Sequence, residues 1–170
     1  MNPPSPDGPT SRGGSRAGRL ARFAVRYLAG VAFVVWFGGF TFYAAVVVPD
    51  LHEALGGMET GEISRRVGFA LNTIGGAAVG LGWLRLGTDR AARAGWRGGI
   101  RAGLLALTTL LLLALVVIHG VLSARLDSGA SRSSFFPLHE VYLIVSTAQW
   151  AANLGLMAVE AIGNPRKKGE

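Results

Sequence analysis

Four long apolar runs, at about residues 24–48, 67–86, 102–123 and 138–162, alternate with short polar stretches along this chain. At ~1.5 Å of rise per residue, each run is long enough to cross the ~30 Å hydrocarbon core of a bilayer as a helix. The pattern predicts an all-α fold: an integral membrane four-helix bundle over residues 22–163, between a disordered basic tail at 1–21 and a basic tail at 164–170. The last run adds a polar stripe. His139, Tyr142, Ser146, Gln149, Asn153 and Glu160 are spaced 3, 4, 3, 4 and 7 apart, which places them within an arc of about 80° on a helix. From His139 to Glu160 the rise is roughly 31 Å, one bilayer core. Polar groups facing lipid are costly, so this spine is expected to face other helices, bonding them together or lining a path for protons or an ion.

The other runs read mainly as packing surfaces. Ala32, Trp36, Gly39, Tyr43 and Val46 share one face of the first helix, and Gly38 and Gly39 permit close approach of a neighbour. Pro49 is expected to end that helix, since it has no N–H to donate to the preceding turn. Asp50, His52, Glu53, Glu59, Glu62, Arg65 and Arg66 then form a solvated loop in which Glu62 pairs with the two arginines. In the second run Gly68, Asn72, Gly76 and Gly80 recur every four residues and mark a close helix contact. Trp83 reads as an interfacial anchor and Arg85 as a snorkelling charge. Arg90, Arg93, Trp96, Arg97 and Arg101 follow as a basic loop suited to anionic headgroups. In the third run Thr108 is expected to bond its own backbone. Ser131, Ser133 and Ser134 lead to Phe135, Phe136 and Pro137, an interfacial mark and helix start. The fourth helix carries Ala148, Ala152 and Gly155 opposite its spine, for lipid or another helix.

Composition agrees with a membrane chain: of 170 residues, 50% are hydrophobic and 16% charged. The net charge of +7 does not point to nucleic acid, because the basic residues lie in tails and loops rather than among stacking aromatics. Arg12, Arg16, Arg19, Arg22 and Arg26 resemble the basic start of a signal peptide. The run after them is too long for one and lacks a small-residue cleavage site, so a retained helix is expected. Lys and Arg number 5, 2, 5, 2 and 3 in the successive flanks and loops, giving 13 and 4 on alternate sides. Both termini should therefore be cytoplasmic, in a multi-pass protein of the cell membrane. Its expected partners are the lipid bilayer and either a second copy or another membrane protein.

Candidate chemistry is sparse. No GxSxG elbow, Walker loop or intramembrane carboxylate pair is present, and His139 lies about 10 Å along the helix from Ser146, too far for a direct dyad. No enzyme is expected. The absence of cysteine excludes disulfides and thiolate metal sites. His119 and His139, with His52, Asp50 and Glu53, all fall at the expected extracytoplasmic ends, and they suit copper, zinc or a b-type haem. No HxxxH or HExxH spacing supports this, and interfacial or hydrogen-bonded histidines are the other reading. The function expected is a non-enzymatic envelope or metal-stress component. The alternatives are a histidine-based metal or haem protein and a small transporter, which would need oligomerisation.

Two segments carry a family resemblance. VWFGGFTFYAAVVVPD is similar to the W-x-G-G, aromatic, Pro pattern of small four-helix membrane proteins of unknown function related to the human transmembrane protein associated with cisplatin resistance. LHEVYLIVSTAQWAANL resembles the final helix of that group, whose His, Ser and Asn on one face correspond here to His139, Ser146 and Asn153. A lesser likeness is to CopD-like copper-resistance membrane proteins, which are longer and have a ligand pattern that is not reproduced here.

Overall fold

A computed structural model describes residues 16–55, 57–89, 93, 95–128 and 132–161, and every element among them is helical. The first helix, α1 (Arg16–Phe42), starts inside the stretch expected to be tail. It does not stop at Pro49. A π-helical turn, Tyr43–Val47, leads directly into α2 (Val48–Leu55). The π turn widens the helix just ahead of Pro49, whose ring would otherwise strike a carbonyl one turn back, so the helix continues past a residue that has no N–H to donate. Asp50, His52 and Glu53 consequently lie exposed on a helix rather than in a loop.

Next, α3 (Gly57–Thr88) absorbs the rest of that expected loop. Glu62 pairs with Arg65 and Arg66 at 3.0 and 3.1 Å, three- and four-residue spacings that favour helix over coil. Thr60 donates to the Leu51 carbonyl at 3.0 Å and ties α3 back to α2. The fourth helix, α4 (Gly95–Asp127), begins at a glycine with φ +67°, a conformation other residues seldom adopt. Trp96, Arg97 and Arg101 are thus helical, not loop. Finally, α5 (Arg132–Ala161) contains Pro137 near its start instead of beginning after it. The side chains of Glu59, Ser133, Ser134, Phe135 and Phe136, together with Arg90, Ser131 and the expected C-terminal tail, lie outside the described residues.

Four stretches, Arg16–Leu55, Thr60–Thr88, Gly95–Asp127 and Pro137–Ala161, are long and apolar enough to cross a membrane. In the bundle, α1 packs on α3, α3 on α4, and α4 on α5. The pairs are antiparallel: Trp36 lies against Gly75 and Gly39 against Leu71, Gly68 against His119 and Gly82 against Leu105, and Leu104 against Gly155. The bundle closes where Phe37 stacks on Trp150 at 5.8 Å and the Trp150 indole donates to Thr41 at 3.0 Å. Trp36, Ala78, Val79, Leu105 and Leu112 form the apolar core.

Of the glycines spaced by four, only Gly68 carries close packing. Gly76 and Gly80 face open space. Gly68, Gly75 and Gly82 face neighbours instead, and a spacing of seven explains why: it drifts only ~20° per step, whereas steps of four drift ~40°. Of the glycines in α1, a Cβ at Gly39 would lie 3.4 Å from Leu71, while Gly38 has nothing within 4 Å.

Candidate functional site

The polar spine of α5 faces the bundle interior. Ser146, Gln149 and Asn153 retain 6, 3 and 3% of their exposure, the side that the 3–4 spacing assigned to helix contacts. Thr108 of α4 meets them and is fully buried. It does not spend its hydroxyl only on its own helix, as expected: it donates to Asn153 Oδ1 at 3.5 Å, which also accepts from Gln149 Nε2 at 3.4 Å. Its neighbour Thr109 shows the backbone bond instead, to Leu105. Two donors, one hydroxyl from α4 and one amide from α5, thus converge on one carbonyl oxygen. Gln149 Oε1 is buried with no partner among the described residues.

One turn beyond Leu156, the spine ends in a charged cluster. The Glu160 carboxylate receives Arg85 of α3 at 3.0 Å and Arg101 of α4 at 3.0 Å, one on each oxygen. The two arginine side chains are only 18 and 20% exposed. Arg85 therefore does not snorkel outward, and Arg101 does not lie in a headgroup loop. The physical reason is Glu160 itself: a carboxylate at the end of an apolar bundle is stabilised by counter-charges that turn inward toward it. This cluster lines a cavity of about 500 Å³ between α1, α3, α4 and α5, with Arg26 of α1 and Thr108 also in its lining. In the sequence Glu160 stood out as part of the spine, while Arg26, Arg85 and Arg101 were each assigned to a separate basic flank, span end or loop. Antiparallel connectivity was the available signal, since it brings the start of α1, the end of α3, the start of α4 and the end of α5 to one level.

At the far end, the histidines are dispersed. The His119 imidazole donates to the Arg65 backbone carbonyl, lies over Gly68 and sits beside Tyr142 with ring centroids 6.4 Å apart. His52, Asp50 and Glu53 are exposed on α2, and His139 is half-buried near the start of α5. Among the described residues, no three or more His, Cys, Asp or Glu side chains gather into a group that could hold a metal ion. The expected five-residue ligand set is not assembled. His119 is engaged with backbone, and α2 holds its acidic residues facing outward. Nearby, Tyr43 donates to Ser64 at 2.7 Å, and Arg65 reaches Asp127 of α4 at 2.8 Å.

The interior therefore has two charged or aromatic ends and a neutral middle of Ser146, Gln149, Asn153 and Thr108. Such a middle can bond helices together, and it offers no titratable group to relay a proton. No family model, curated protein or solved structure matches the chain.

Proposed function

We propose that this chain is a multi-pass protein of the cell membrane, with both termini cytoplasmic, that acts without catalysis as an envelope component. The observation that carries this reading is the inside-out distribution of its side chains. Thr108, Gln149 and Asn153 are buried, while Leu110, Val117, Ile144 and Phe69 are 65, 66, 69 and 68% exposed. In water that arrangement would leave large apolar faces uncovered; in lipid those faces are solvated, and polar groups are best placed between helices. The excess of Lys and Arg at the end holding Arg26, Arg85 and Arg101 supports its assignment to the cytoplasm. Kinship with the small four-helix membrane proteins of unknown function belongs to the same proposal, since Trp36, Ser146 and Asn153, which carry the likeness, are all buried here.

The polar spine is assigned to cohesion of the bundle. Asn153→Leu removes the acceptor shared by Thr108 and Gln149 and should cost about 1 to 2 kcal/mol. A lowered melting temperature in detergent, with ion flux through reconstituted vesicles at the level of empty ones for both proteins, is expected. Wild-type flux that is abolished in an equally stable variant would establish a transport path instead.

A further inference from the structure

The cavity at the arginine-rich end has features the cohesion role does not use. About 500 Å³ of space is enclosed by Phe33 and Val34 of α1, Leu86 of α3, Leu105 of α4, and Leu156 and Met157 of α5, a volume within the usual range for small-molecule sites. Its charged lining is three arginines, Arg26, Arg85 and Arg101, against the single carboxylate of Glu160. That carboxylate is already committed on both oxygens. Arg85 Nε is buried and has no hydrogen-bond partner among the described residues, and Arg26 of α1, which is exposed, lines the same cavity. An anion placed near them would meet an excess of positive charge, since one carboxylate stands against three guanidinium groups, and guanidinium groups suit phosphate oxygens in particular.

The space also opens sideways. Arg26, Gly30 and Val34 line this cavity and also a shallow groove on the outer side of α1 with Phe23, Tyr27, Val31 and Val35. A Cβ at Gly30 would meet nothing within 4 Å. The contacts that close α1 onto α5, at Phe37, Thr41 and Trp150, lie higher in the bundle. We infer that this cavity is a site for an anionic phospholipid, its phosphate held by Arg26 and Arg85 and one acyl chain lying between α1 and α5, entering past Gly30. The occupant is a lipid rather than free phosphate because most of the wall is apolar and its opening faces the outer, apolar side of α1. The assigned cytoplasmic leaflet is also the one that carries anionic headgroups.

The inference rests on the membrane-spanning reading, and the two can fail separately. Full-length protein in detergent would be titrated with phosphatidylglycerol, with phosphatidylcholine of the same chains, and with inorganic phosphate, and bound lipid counted by native mass spectrometry. One phosphatidylglycerol should be retained with at least about fivefold preference over phosphatidylcholine, and Arg26→Gln should erase about fivefold of that preference. Gly30→Phe should reduce retention of both lipids by narrowing the entry. Arg26 lies outside the Glu160 cluster, so Arg26→Gln decides the matter even if Gly30→Phe folds poorly. Equal retention of the two lipids, retention unchanged by Arg26→Gln, or displacement of lipid by equimolar phosphate would each overturn the site. Release of the protein from membranes by alkaline carbonate would instead defeat the membrane reading beneath it.

Discussion

Glu160→Leu is expected to lower stability by about 2 kcal/mol, because it leaves Arg85 and Arg101 facing each other in a mostly buried cluster without a counter-charge. Loss of one member of a fully buried ion pair costs ~3 to 5 kcal/mol, and exposed pairs are worth ~0 to 1. With the arginines 18 and 20% exposed and Glu160 38% exposed, the cost should fall between these limits. Thermal unfolding in detergent would measure it. The triple variant Glu160→Leu, Arg85→Met, Arg101→Met should recover most of the loss, since no unpaired charge then remains. Asp127→Leu provides a contrast. Its pair with Arg65 is 67% exposed on the Asp127 side and should change stability by less than about 1 kcal/mol. A Glu160→Leu protein as stable as wild type would mean that the cluster is an incidental surface contact.

The second large effect concerns Gly75. A Cβ at this position would sit 2.6 Å from Cε2 of the Trp36 indole, a distance no packed side chain tolerates. Trp36 is 3% exposed and central to the core, so it cannot swing away without uncovering Ala78 or Leu105. Gly75→Leu should therefore cost about 3 kcal/mol, while Gly76→Leu, directed into open space, should change stability by less than about 0.5 kcal/mol. Comparison of the two adjacent variants separates close packing from helix propensity, because both replace glycine by the same residue in the same helix. Pairing Gly75→Ala with Trp36→Leu should recover part of the loss by removing the bulk that the new methyl meets. Equal effects at the two glycines would contradict the observed face of α3.

These two sites also show what could be read in the sequence and what could not. The four helices were legible because apolar runs of this length have no other common explanation, and the inward direction of Ser146, Gln149 and Asn153 followed from their 3–4 spacing. Gly68 was legible as a contact glycine, but Gly76 and Gly80 were grouped with it because they fit a familiar spacing of four, while Gly75 and Gly82 required knowing which face met α1 and α4. Pro49 was read as a stop because local rules do not anticipate a π turn just ahead of it. Arg85 and Arg101 were placed by their immediate neighbours alone. Set side by side at one level of an antiparallel bundle, with Glu160 as the nearby carboxylate, they would have been read as its partners. The histidines show a different limit of sequence reading. Sharing one end of a bundle is not convergence: His119 is held by the Arg65 carbonyl, while His52 is exposed on α2.

The proposed inside-out bundle would cross the membrane with its arginine cluster on the cytoplasmic side, and cysteine accessibility tests that orientation directly. The chain has no cysteine, so single cysteines at Ser5 and Glu53 can be probed cleanly with a membrane-impermeant maleimide on intact cells. Glu53→Cys should be labelled in intact cells and Ser5→Cys only after the membrane is permeabilised; labelling of Ser5→Cys from outside, or protection of Glu53→Cys, would rule out the proposed orientation.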